Sequence, residues 1–143
     1  MTEETAALRL IEATYRLQRA IAEDVRAHVA EAADLELSDF MMLKAIADGI
    51  DSPSALAAEL CWHRASTSRH ITAMVRAGLL NRTTGDIDSR RTALSLTPAG
   101  RETVEKIKRR VRPQVAARLD RLDEKTAGLV LDALETLLQE SMP

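Results

Sequence analysis

SPSALAAELCWHRASTSRHITAMVRAGLLNRTTGDIDSRRTALSLTPAG, residues 52–100, is the stretch on which the reading of this chain turns. Ser52 followed by Pro53 is a helix start: a capping hydroxyl, then proline where a missing N–H costs nothing. Leu56, Ala57 and Leu60 share one face of a short helix ending near Cys61-Trp62. A second helix runs from about Arg64 to Ala77, with Gly78 placed to stop it. Ile71, Met74 and Val75 form its apolar stripe, and Arg64, Ser66, Ser68, Arg69 and Thr72 point outward. Thr67 is expected to pack inward. Leu80-Asn81-Arg82-Thr83 and Thr92-Ala93-Leu94-Ser95-Leu96 then read as short strands, joined through a loop that carries Asp88, Arg90 and Arg91. Two short helices followed by a basic-tipped hairpin predict a winged helix-turn-helix whose second helix enters a DNA major groove.

Charge agrees with this once it is divided along the chain. The total is −2. Residues 1–59 carry five Lys/Arg against twelve acids, a net of −7, and residues 122–143 a net of −4. Residues 60–96 sum to +4 and residues 97–121 to +5. At physiological salt the Debye length is about 8 Å, so a phosphate responds to the local excess and not to the total.

Arg64 through Leu80, Asp88-Ser89-Arg90-Arg91 and Leu96-Thr97-Pro98-Ala99-Gly100 together resemble the multiple antibiotic resistance regulator (MarR) family. The shared pieces are a Ser/Thr-rich recognition helix, a Gly-Leu exit, an Asp-x-Arg-Arg wing tip and a Leu-Thr-x-x-Gly entry to the next helix. The resemblance implies a homodimeric winged-helix repressor or activator, often released from DNA by a small ligand or by oxidation. It also implies an effector pocket between the dimer helices and the reading head, for which Tyr15, Arg16, Arg19, Met41, Met42 and Trp62 are the expected wall residues. An arginine there favours an anionic ligand such as an aromatic carboxylate. Where the family often places a capping Asp or Ser, this chain has His63, a poor cap.

The flanks read as helical scaffold, so the fold class expected is mainly α with a small β-hairpin wing. One helix is expected from about Thr5 to Ala33, with Leu8, Ile11, Tyr15, Ala22, Val25 and Val29 at helical spacing. Ser38 is expected to cap the next, turning Phe40, Met41, Leu43, Ile46 and Ala47 inward before Asp48-Gly49 closes it. Thr97-Pro98 opens a long helix reaching about Leu122, which Pro113 should kink. Asp123 caps the last, where Leu129, Val130, Ala133, Leu134, Leu137 and Leu138 form a wide apolar face. Residues 1–143 are read as a single domain, with the winged helix at 38–100 and dimerisation helices at 1–33 and 101–143. Left bare, the last helix would present a large apolar patch, and two-fold pairing of the chain covers it most simply. Such a dimer sets two recognition helices about one DNA turn apart and predicts a pseudo-palindromic operator.

On the reading head, Arg64 and Arg69 are the candidates for guanine edges or adjacent phosphates, because a guanidinium bonds O6 and N7 together. Ser66 and Ser68 suit bases or phosphates, and Thr72 suits phosphate. Arg90 is assigned to the minor groove, with Asp88 holding Arg90 or Arg91 extended. Cys61 is expected to be a packed thiol, since cysteine is among the most buried residue types; the alternative is a redox switch. His63 and His70 either make binding pH-sensitive or meet phosphates. Asp24 and His28 are too few for a metal site and are expected to pair on the helix surface.

The expected partners are therefore double-stranded DNA, a second copy of the chain and a small-molecule effector. Catalytic groups, a Gly-rich phosphate loop and metal-type Cys/His spacing are lacking, so neither enzyme activity nor a cofactor is expected. A single cysteine and the lack of an apolar run of about 18 residues suggest a cytoplasmic protein without a membrane anchor. The competing reading is a winged-helix dimer that binds protein and not DNA.

Overall fold

The computed structural model describes residues 1–85 and 91–139. Among them the order is α1 (Glu3–Ala33), α2 (Leu37–Ala47), α3 (Pro53–Leu60), α4 (Arg64–Arg76), β1 (Leu80–Thr84), β2 (Thr92–Leu96), α5 (Pro98–Leu119) and α6 (Glu124–Leu138). None of these helices is long and apolar enough to cross a membrane. The strands pair antiparallel from Leu80 opposite Leu96 to Thr84 opposite Thr92, and the Leu94 N–H donates to the Asp51 carbonyl at 2.8 Å.

Helix starts follow side-chain chemistry closely. Thr2, Ser52, Thr97 and Asp123 each accept an N–H three residues on, as N-caps do. α2 departs from expectation: its cap is Glu36, not Ser38, in a reciprocal box where Asp39 takes the Glu36 N–H at 3.1 Å. The faces of α2 also differ from the expected ones. Phe40, Leu43 and Ile46 are buried as expected, but so are Met42 and Ala45, while Met41 and Ala47 are exposed. From Phe40 to Ala47 only Lys44 is polar, so no apolar stripe marks an inward side. The surrounding α1, α3, α5 and β2 decide it instead.

The core joins Val25, Val29 and Ala32 of α1 to α2, Leu56, Ile71, Met74, the strand residues Leu80, Leu94 and Leu96, and Val104 and Ile107 of α5. Every buried apolar residue among those described lies between Val25 and Ile107. Of the stripe expected on α1, Leu8, Ile11 and Tyr15 are therefore exposed. α5 runs through Pro113 and ends at Leu119, one turn short of expectation. It is tied to α1 by a two-pronged Arg118–Asp24 pair and by Arg110–Glu31 at 2.9 Å. Asp24 thus pairs across helices and not with His28. Arg118 bonds its carboxylate and holds it below the usual carboxylate range, against a smaller opposing effect of burial.

The Leu-Thr-Pro-Ala-Gly segment has a clear physical role. The Thr97 hydroxyl accepts from the Gly100 N–H at 2.9 Å and donates to the Gly78 carbonyl at 2.7 Å. Its backbone N–H reaches the Leu79 carbonyl at 3.1 Å. A side chain at position 100 would fall on that same carbonyl, so glycine lets α5 start against the exit of α4.

Candidate nucleic-acid interface

α4 is built to show one face. Thr67, Ile71 and Met74 are buried, with the Thr67 hydroxyl donating to the His63 carbonyl at 2.9 Å. The helix ends as its sequence demands: Gly78 takes φ +76°, its N–H bonds the Val75 carbonyl and the Leu79 N–H bonds the Met74 carbonyl, each at 3.1 Å. The opposite end has no side-chain cap, and His63 occupies that position without supplying one. Ser66 does not cap it either, but accepts from the Arg69 Nη2 at 3.3 Å.

Arg64, Ser68 and Arg69 are exposed; Ser66 and Thr72 are half-buried. On one flank of α4 a cleft of 690 Å³ opens toward the hairpin, lined among others by Ser52, Ser54, Arg64, Ser68, Arg82 and Arg91. Arg82 on β1 spans it and donates to the Thr72 hydroxyl at 3.5 Å. Arg64 of α4 and the hairpin arginines Arg82 and Arg91 thus line a shared hollow, a setting suited to a phosphate backbone. An isolated strand pattern does not say which way the Arg82 side chain leans. Arg91 lies where the hairpin loop rejoins β2, its carbonyl accepting from the Gly85 N–H at 2.9 Å. Asp88 and Arg90 lie outside the described residues.

The other flank of α4 meets α2 through side chains. His70 Nδ1 is 3.0 Å from the Asp39 Oδ1, and its ring lies 4.7 Å from the Trp62 ring at a tilt of 31°. Cys61, just before Trp62, is exposed and not packed: it ends α3 in the left-handed region at φ 55°. That corner turns the chain from α3 into α4.

The expected effector wall is dispersed in the single chain. Tyr15, Arg16 and Arg19 stand exposed on the uncovered half of α1, Met41 is exposed, Met42 is fully buried and Trp62 is half-buried. None of the six lines any of the three cavities described. No group of three or more His, Cys, Asp or Glu among the described residues is arranged to hold a metal ion.

No protein-family model and no curated protein sequence matches the chain. Solved structures do. The transcriptional regulator BldR from Sulfolobus solfataricus superposes with a TM-score of 0.84 at 20% identity, covering 96% of this chain and 98% of that one. A cysteine-to-serine mutant of MarR from E. coli, complexed with operator DNA, gives 0.81 at 16% identity over 97% and 100%. NadR in complex with 4-hydroxyphenylacetate gives 0.78 at 24% identity over 90% and 92%. Helix order, hairpin and end-to-end coverage coincide, and the chain carries the winged helix-turn-helix fold of the MarR-family transcriptional regulators.

Proposed function

We propose that this chain is a sequence-specific DNA-binding transcriptional regulator, a repressor and not an enzyme, that works in the cytoplasm as a homodimer on a pseudo-palindromic operator. The observation that carries it is the exposed row Arg64–Ser68–Arg69 standing beside a cleft lined by Arg82 and Arg91. The row reads base edges in the major groove while the cleft takes the adjacent phosphates. Arg90 and Asp88 complete the reading head at the hairpin tip, with Arg90 in the minor groove.

The homodimer is supported by two bare apolar faces. α6 buries no residue and exposes Leu129, Val130, Leu131, Leu137 and Leu138, while α1 exposes Leu8, Leu10, Ile11, Tyr15 and Leu17. A second copy offers the matching pair of faces. The same pairing would gather the effector wall, with Arg16 or Arg19 taking an anionic aromatic ligand. NadR's 4-hydroxyphenylacetate is of that chemical class. An exposed Cys61 at the turn into α4 supports a second mode of release, by oxidation.

The test is selection of duplexes from a random pool, followed by fluorescence anisotropy across a salt series. A regulator gives saturable binding, two chains per duplex, tighter for selected than for scrambled DNA. Log affinity falls linearly with log salt, with a slope of about 0.9 per phosphate neutralised. Equal and weak binding to both duplexes overturns the proposal in favour of a protein-binding module. Cys61→Ser abolishes any peroxide-induced release if the thiol is the switch.

A further inference from the structure

The flank of α4 that faces α2 carries a device that a base-reading helix does not need for its own stability. The Asp39–His70 pair bridges α2 and α4 at 3.0 Å. Asp39 is itself held: its Oδ2 takes the Glu36 N–H at 3.1 Å, leaving Oδ1 for the imidazole. Both side chains are largely shielded, His70 with 29% and Asp39 with 14% of the side chain exposed. The second face of the ring is against Trp62, at the corner where α3 turns into α4. α4 has no side-chain cap at its start, so this bridge and the Trp62 contact tether the α2 side of its first two turns. Arg69 and Thr72 of the reading face are one and two residues away.

Resting on the regulator reading above, we infer that His70 is a positioning residue whose proton sets the recognition helix for DNA, so that the imidazolium form of the protein is the tighter binder. The neutral ring already makes a charge-assisted hydrogen bond to the Asp39 carboxylate. Taking up a proton from solvent converts that bond to an ion pair. It also places a cation within about 6 Å of an indole face, an attractive arrangement. The charged groups on the neighbouring elements are Glu36 and Asp39 at the start of α2, Lys44 further along it, His63 in the turn and Arg69 on α4. Of these Asp39 alone forms an ion pair with the ring. Linkage fixes the sign: because the protonated form binds more tightly, affinity falls as pH rises.

Two readouts test this. Trp62 is the sole tryptophan of the chain, so its emission reports on the adjacent ring without any DNA present. The emission of the wild type should change with pH, because an imidazolium quenches indole, and His70→Gln should leave it flat. The second is anisotropy at constant ionic strength with the duplex selected for the wild type. Wild-type affinity should fall about fivefold or more between pH 6 and 8. His70→Gln keeps a donor for Asp39 without the charge and should be flat, near the wild-type value at pH 8. Asp39→Asn should shrink the pH effect, and His63→Gln should retain it. Adding duplex should move the Trp62 titration to higher pH.

A wild type that binds its selected duplex with no pH dependence overturns the latch and leaves the regulator reading intact. So does a His70→Gln variant that keeps the full dependence. Failure of the wild type to prefer any duplex at any pH overturns both.

Discussion

Arg69 and Gly100 show two ways in which one side chain, or its absence, fixes the behaviour of this chain. Arg69 is exposed on α4 and its only polar contact among the described residues is the neighbouring Ser66, so replacing it leaves the core untouched. Arg69→Ala should cost about 1–3 kcal/mol of operator binding and relax preference at one base position, read by anisotropy on a set of single-base operator variants. Gly100 is the reverse case, invisible to DNA and required by packing. Gly100→Ala sets a methyl group against the Leu79 carbonyl and should destabilise the chain by about 1–3 kcal/mol, measured by urea unfolding. Operator preference should be unchanged wherever the variant remains folded. Residue identity was legible from the sequence where a position has one dominant demand, as at Ser52, Gly78, Thr97 and Asp123. Cys61 was not, because burial statistics describe cysteines in general while this one sits at a left-handed corner. Asp39 was equally opaque: its partner His70 is 31 residues away, and no local pattern links them.

Elements divide by whether their apolar stripes are clean. α4 and β2 were readable because polar and apolar positions recur with a definite period. α2 was not, since seven of its eight residues from Phe40 to Ala47 are apolar and the neighbours choose the face. The apolar residues of α6 and of the first half of α1 are exposed in the single chain, whereas Val25 and Val29 of the same α1 stripe are buried, so periodicity marked the stripe without saying where along it the core ends. The α6 face makes a direct prediction. Under the proposed homodimer, Leu137→Asp on α6 should shift the chain from dimer to monomer in analytical ultracentrifugation, with the winged helix still folded, because α6 contributes no buried residue to it. Operator affinity should fall with it, since half a palindrome is engaged at a time. Between α1 and α5 the tie is electrostatic. The Arg118 contact holds Asp24 below its usual range, so the stabilisation is present above the unfolded value near 3.8 and is lost as pH falls through the folded one. Acid unfolding should accordingly begin at higher pH in Arg118→Gln, where that support is gone, and the difference between the two proteins should narrow once both carboxylates are protonated.

At the scale of the whole molecule, the arrangement separates a basic head from acidic ends. The segments summing to +4 and +5 include α4, the hairpin and α5, whereas most of α1 and all of α6 belong to segments of −7 and −4. Nonspecific coating of DNA is opposed at the ends while the head remains attractive, so selectivity should persist at salt too low for a uniformly basic protein to discriminate. The confinement of every buried apolar residue to the stretch from Val25 to Ile107 has a kinetic counterpart. The centre of the chain can complete its interior alone, in a step whose rate is indifferent to protein concentration. In the proposed homodimer, the first half of α1 and α6 gain their cover on meeting another chain, in a step of second order. Refolding from urea should therefore show two phases, and dilution should slow only the later one. Newly made chains would pass through a period in which each can touch DNA but not yet span an operator, and the length of that period would shorten as the protein accumulates.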